Sequence, residues 1–319
     1  DVVEVLSGGN ILAILFLTAV LSLILGMGLP TTANYIVVSA LLAPVIVTLG
    51  QQNGLIVPLI AVHLFVFYFG IMADVTPPVG LASFAAAAVS GGDPIRTGLV
   101  AFFYSLRTAA LPFLFIFNTE LLLIGVTWGQ GLFIFVVATV AMLLFAAATQ
   151  GWFLARNRFY ETIALLLIAF TLFRPGFWMD MVYPPYSEEA PTEIVQAAEE
   201  TPAGERLRLR VAGVNDLGDP LEFVALLPIG AGETGAEKLE AAGLMFREDG
   251  DKMIIDDVLY DSPAQGAGLD WDQEVLRVLK PMPQPSKYWM FIPALLLLAL
   301  VVFLQRGRAA RDTREPATA

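Results

Sequence analysis

The residues with the most chemistry to offer lie in two short stretches that interrupt apolar sequence. The first is Gly26-Met27-Gly28-Leu29-Pro30-Thr31-Thr32-Ala33-Asn34, between the apolar runs Ile11–Leu25 and Tyr35–Leu49. No charged residue occurs from Val5 to Ala73. In hydrocarbon, every backbone N–H or C=O freed by a helix break needs a partner, at a cost of several kcal/mol if it finds none. Such breaks persist where bare backbone and hydroxyls line a cavity, and there they make ion and solute sites. Thr31, Thr32 and Asn34 add polar side chains at that point, so the stretch reads as the tip of a re-entrant helical hairpin. A kinked or glycine-packed transmembrane helix is the alternative. The second stretch is Ala73-Asp74-Val75-Thr76-Pro77-Pro78-Val79-Gly80 inside the apolar span Leu55–Val89. Pro77 and Pro78 remove two donors and push Thr76 out of helical geometry. Two interrupted hydrophobic segments in one chain point to a midplane transport site.

Composition sets the class around these breaks. Hydrophobic residues make up 57% of the chain and mean hydropathy is +0.71, values of an integral membrane protein. Cysteine is absent and His63 is the only histidine, which excludes disulfides, thiolate chemistry and HExxH-type metal sites. The net charge of −12 is unevenly spread. Glu188–Lys280 holds 21 acidic and 8 basic residues, so the acidity belongs to one water-soluble segment and the remainder is nearly neutral. No basic nucleic-acid footprint is present. The chain opens on Asp1 rather than Met, as expected for the C-terminal portion of a longer protein.

The elements that must position the breaks follow in order. Asp1–Asn10 is a polar lead-in to a hairpin over 11–49, and a broken helix covers 55–89. An amphipathic interfacial arm is expected over 95–107, with Arg96 and Arg107 at its ends, then a crossing over 108–126. Together these form a transport domain over 1–126. Additional transmembrane helices occupy 127–183, an acidic domain 184–286, and a last crossing with a basic tail 287–319. Arg306, Arg308, Arg311 and Arg314 put the C-terminus in the cytoplasm. Counting back makes the acidic domain extracytoplasmic and opens the hairpin from the outer face, with Arg174 as a snorkelling exception. Ala190–Gly204 reads as a flexible tether. Beyond it, Arg206–Val211, Phe223–Leu227, Met253–Leu259 and Gln273–Val278 read as short strands. Asp261–Leu269 between the last two resembles the matching piece of a PDZ domain, without an evident carboxylate-binding loop. The fold class is therefore an α-helical integral membrane protein with a small extracytoplasmic α+β domain.

At Gly26–Asn34 and Asp74–Gly80 the chain resembles the large permease of tripartite ATP-independent periplasmic (TRAP) transporters. GMGLPTTANYIV and HLFVFYFGIMADVTPPVGLASFAAAAVSGGDPIRTG look most like fused permeases of the TAXI subclass. The likeness runs from about Asn10 to Gly125. It implies a secondary carrier of the bacterial inner membrane that imports organic acids on a sodium gradient and moves like an elevator. Substrate would arrive on a periplasmic solute-binding protein. The family permease has two inverted repeats, of which this chain carries the second hairpin and broken helix. The first repeat and the small-subunit helices would be its partners within the bilayer. Carried over by position, the sodium site would comprise Gly26, Gly28, Pro30, Thr31 and Thr32 with Asp74, Val75, Thr76, Pro77 and Gly80. Asn34 would either hydrogen-bond substrate or stabilise the tip. Na⁺ is the coupling ion, and no other cofactor or metal is implied.

Single residues carry competing readings. Asp74 is an ionisable group inside the membrane, hence a functional candidate, or else pins unwound backbone. His63 reads as a packed histidine of an aromatic run, and Glu120 as solvated near the outer interface. An intramembrane protease finds no support, because neither HExxH nor a Gly-x-Ser-Gly nucleophile with a histidine base is present. A membrane-anchored scaffold with a PDZ-like binding domain is the alternative to a carrier, but it leaves both helix breaks unexplained.

Overall fold

The computed structural model describes residues 10–214, 220–250 and 252–312. The lead-in before Asn10 and the tail residue Arg314 lie outside the described residues, as does the side chain of Arg107. Contacts divide the chain into two units, one of Asp1–Ile14, Pro44–Val57 and Pro184–Pro283, the other of Leu15–Ala43, Pro58–Tyr183 and Gln284–Ala319.

The second unit is helical. Helix α1 (Ile11–Gly26), which belongs to this unit from Leu15 on, is followed by a turn and by α2 (Thr31–Gln52), which belongs to it up to Ala43. Helix α3 (Leu59–Met72) runs into a 3-10 turn, Ala73–Val75, and α4 (Leu81–Ser90) resumes beyond the prolines. Then come α5 (Pro94–Phe117), α6 (Trp128–Gln150), α7 (Phe159–Phe173) and α8 (Pro175–Val182). Among the described residues, four helices are long and apolar enough to cross a membrane, and the pair α7–α8, bent by 85°, would make a fifth span. The arm expected over 95–107 runs without a break into the crossing expected over 108–126 as one helix, α5, which ends at Phe117 and is followed by a 3-10 turn, Thr119–Leu122. Asp93 caps it through the Arg96 N–H at 2.7 Å, and Pro94 opens it. Pro112, inside α5, does not stop it. The arginine at each end of the arm was a weaker boundary signal than the unbroken apolar periodicity.

Helices α6 and α7 pack together, and the last helix, α12 (Phe291–Asp312), packs on α7. Their core includes Leu144, Leu165, Ile168 and Val301. Glu161 is fully buried in this bundle. Arg308 grips it bidentately, 2.8 Å to each carboxylate oxygen, while Gln305 Nε2 and the Arg158 N–H donate to Oε2 at 3.0 and 2.8 Å. Gln305, also fully buried, accepts from the Leu154 and Ala155 N–H groups and donates to Asn157. At the other end, Glu120 pairs with Lys287 at 2.7 Å, both about one-third exposed, rather than standing solvated. Arg174 stacks over the Phe117 ring, 4.6 Å from its centroid.

The first unit is built on a six-stranded sheet. Its strands are β1 (Tyr186–Glu189), β2 (Arg206–Val214), β3 (Pro220–Pro228), β4 (Leu244–Asp249), β5 (Lys252–Val258) and β6 (Glu274–Pro281). The order is β3-β2-β6-β5-β4, every pair antiparallel. β1 and β5 share the second edge of β6, β5 along Glu274–Val275 and β1 along Val278–Pro281. Along β2, Leu207, Leu209 and Val211 are buried and the arginines between them are not, the alternation of a strand with one face in a core.

The expected tether at Ala190–Gly204 is instead part of that core. Helix α9 (Ile194–Glu200) buries Ile194, Ala197 and Ala198, spaced i, i+3, i+4 on one face. Composition suggested a linker, but the apolar spacing decides the structure. Helix α10 (Gly235–Ala241) lies against α9 so closely that a Cβ on Gly235 would collide with the Val195 carbonyl oxygen. The buried Lys238 donates to the Glu199 and Thr201 carbonyls at 2.7 and 2.8 Å and ties the two helices together. Lys280 on β6 pairs with Glu200; the Lys280 hydrogen bond holds the Glu200 carboxyl below its usual range. The short helix α11 (Pro263–Gly266) joins β5 to β6 and is capped by Ser262.

Candidate functional site

The first break is a reversal of the chain. After α1, the Met27 N–H still reaches Leu23 O, and the Gly28 and Leu29 N–H groups reach Leu25 O. The Asn34 N–H donates to Pro30 O at 2.9 Å and starts α2. Asn34 Nδ2 donates to Ser22 O at 2.9 Å, from the first turn of α2 to the last turns of α1. A continuous helix would hold residues twelve apart about 18 Å from each other at 1.5 Å per residue, so that bond requires a fold-back.

The second break follows the proline chemistry. Thr76 is extended at φ −87°, ψ 121°, as the residue before a proline should be. Its hydroxyl donates to Met72 O at 2.7 Å, and Ser83 Oγ donates to Val75 O at 3.3 Å, so side chains occupy carbonyls the broken helix leaves open. Gly80 supplies the left-handed backbone (φ +35°) from which α4 restarts. On α5, Gly98 leaves room for Pro77, whose Cγ would sit 3.1 Å from a Cβ there.

The two breaks meet through glycine. A Cβ on Gly26 would lie 2.6 Å from Ala73 Cβ, 2.8 Å from Asn34 Nδ2 and 3.2 Å from Gly70 O. A Cβ on Gly70 would lie 3.0 Å from Asn34 Nδ2. No larger residue fits at Gly26 without displacing either the end of α1 or the entry to the second break. Asn34 is fully buried at this crossing, and so are Thr18 and Ser22, one turn apart on α1. Thr18 Oγ1, Ser22 Oγ and Asn34 Oδ1 are buried without a hydrogen-bond partner among the described residues.

Of the residues named from sequence, Gly26 and Asn34 lie at the crossing, next to Ala73. Thr31, Asp74, Val75, Thr76 and Pro77 are half-buried, and Gly80 is buried. Gly28, Pro30 and Thr32 are exposed. Asp74 has no ion-pair partner among the described residues, and no cluster of three His, Asp or Glu occurs among them. The donors on offer are therefore neutral oxygens and one carboxylate. Thr18, Ser22, Gly70, Ser83 and Gly98 escaped the sequence reading. Thr18 and Ser22 had a signal, two hydroxyls at i, i+4 in an otherwise apolar run. His63 packs between helices, its Nδ1 3.0 Å from the Tyr35 hydroxyl.

Residues 1–129 match the family model of the tripartite ATP-independent periplasmic transporter, DctM component. Residues 131–311, more than half of the chain, match a domain of unknown function, DUF3394. No curated protein and no solved structure matches the chain. DctM is a transporter family rather than an enzyme family, in keeping with the breaks and the apolar helices. Residues 1–129 are thus similar to the DctM component of TRAP transporters, and by the match over more than half of its length the chain belongs to the DUF3394 family.

Proposed function

We propose that the chain belongs to a sodium-coupled secondary carrier that imports organic acids handed over by a periplasmic solute-binding protein. The observation that carries this is the crossing of the two helix breaks at Gly26, Gly70 and Ala73, with three buried oxygens lacking partners beside it. Na⁺ is a hard cation and takes hydroxyl and carbonyl oxygens. Gly26, Gly28, Pro30, Thr31 and Thr32 of the tip, with Asp74, Val75, Thr76, Pro77 and Gly80 of the second break, would form the ion site, completed by the unpartnered Thr18 and Ser22 hydroxyls. The N–H groups at the start of α2, next to these residues in the chain, would favour a substrate carboxylate. Asn34 donates one amide N–H to Ser22 O, so a role toward substrate would rest on Oδ1 and the second N–H.

The test is uptake by the full-length carrier in proteoliposomes, with its binding protein, as a function of sodium. Thr32→Val and Thr76→Val should raise the sodium concentration for half-maximal uptake. Unchanged half-saturation in both would remove these residues from the ion site.

In the same reading the hairpin is re-entrant, the six-stranded unit is an extracytoplasmic PDZ-like module, and the C-terminus is cytoplasmic. Tyr260 is 91% exposed, whereas Ser262 is tied up as a helix cap, so Tyr260→Cys is the better reporter of sidedness. In this cysteine-free chain it should react with an impermeant maleimide in spheroplasts. Reaction only after lysis would reverse the orientation.

A further inference from the structure

The outer edge of β3 is the end of the sheet, since among the described strands β3 pairs only with β2, on its other side. Such an edge presents unpaired N–H and C=O groups and invites another strand. Here the loop after α2 answers it. Asn53 forms a parallel bridge with Val224 of β3. Arg208, on the neighbouring strand β2, donates from its guanidinium to the Gly54 carbonyl. That guanidinium lies over the Tyr186 ring, 4.7 Å from its centroid, so an aromatic face on β1 holds it in place. Gly54 is left-handed (φ +73°), and a Cβ there would sit 3.3 Å from Arg208 Nη1 and 3.4 Å from Val224 Cγ1. The loop closes on itself as well, through Leu55 N–H to Gly50 O at 2.8 Å.

We infer that the β3 edge and Arg208 form a docking surface for this chain's own Asn53–Gly54 backbone, a latch that opens and closes. It deepens the carrier reading by giving the domain of unknown function a role, which is to grip the loop continuous with α2, the helix whose first turn carries Asn34. The grip is small enough to release, because it consists of one ladder pair and one hydrogen bond from a charged donor. Losing that bond should open the loop about tenfold more often, the factor that separates a charged hydrogen bond from none. The latch also requires the loop and the sheet to lie on one side of the membrane.

The experiment uses the full-length carrier in membranes and reads no transport, so it stands or falls apart from the carrier reading. A Cβ on Gly54 would lie 3.6 Å from Val224 Cβ, within the range that disulfides span. The pair Gly54→Cys with Val224→Cys should therefore become protected from maleimide by mild oxidation and recover with reductant. Gly54→Cys with Tyr260→Cys should stay reactive. With Gly54→Cys alone, adding Arg208→Gln should raise the labelling rate about tenfold, while Arg277→Gln, elsewhere on the sheet, should not. Because a side chain at Gly54 is strained, hydrogen exchange over Asn53–Leu55 is read in the otherwise native chain with Arg208→Gln, with the same tenfold rise expected. Failure of the pair to protect, or exchange unchanged by Arg208→Gln, overturns the latch.

Discussion

Two buried polar clusters lie in the helical unit, and they are satisfied in opposite ways. Around Glu161 each carboxylate oxygen is engaged, and Gln305 uses both its carbonyl and its amide. Around Asn34 one amide N–H is bonded, while three buried oxygens of Thr18, Ser22 and Asn34 have no partner. A complete network in a low-dielectric interior fixes geometry, whereas an incomplete one is a standing cost. Retaining that cost makes sense where another species completes the set. The comparison separates a fastener, which holds the α6–α7 turn to the end of α12, from a cluster with open acceptors where the helix breaks meet.

The largest effect should come from the fastener. Glu161→Ala strips Arg308 and Gln305 of their acceptor and leaves the Arg158 N–H uncapped. Removing one partner of a buried pair costs about 3 kcal/mol, and Arg308, 20% exposed, recovers part of it from water. The unfolding midpoint in detergent should fall sharply, with any surviving carrier keeping its sodium dependence. A fully stable Glu161→Ala would mean that the network is ornamental and the contrast false.

Next in size is Gly26→Ala. Its methyl would sit 2.6 Å from Ala73 Cβ, with backbone behind both groups, so overpacking of about 1–3 kcal/mol is expected. The gain in helix propensity of about 1 kcal/mol offsets some of that. Stability should therefore fall modestly, while uptake should fall far more, because the displaced part is the approach of the two breaks. A loss of uptake no larger than the loss of folded protein would demote the crossing to ordinary packing.

The contrast also marks what the sequence could carry. Both breaks were legible, because glycine pairs and Pro-Pro act locally: Thr76 is extended and Gly80 left-handed for reasons contained in Thr76–Gly80. So was the alternation of Arg206–Val211, whose buried leucines the sheet reproduces. The meeting of Gly26 with Ala73 was not legible, since 47 residues separate them and glycine gives no sign of what it lies against. Glu161 was hidden for the same reason, its partner lying 147 residues away. The tether at Ala190–Gly204 failed because composition outweighed three well-spaced apolar residues. The boundary expected at Arg107 between arm and crossing is absent, because α5 runs on through it.

The smallest change in stability, and the sharpest separation of the two clusters, belongs to the unpartnered oxygens. Thr18→Val and Ser22→Ala each remove a buried hydroxyl oxygen that has no partner. In a finished core, deleting such a group is neutral or favourable by up to about 1 kcal/mol, since an unpaired polar atom was the liability. The unfolding midpoint without sodium should therefore hold or rise. Saturating sodium should then stabilise the native protein more than either variant, because a ligand adds stability only in proportion to its affinity for the folded state. Unfolding midpoints taken with sodium chloride and with choline chloride at equal ionic strength isolate that difference. If sodium raises the midpoints of native protein and variants equally, these oxygens complete no ion site. If both variants lose stability without sodium, the hydroxyls have partners after all, and the cluster around Asn34 is a fastener like that around Glu161.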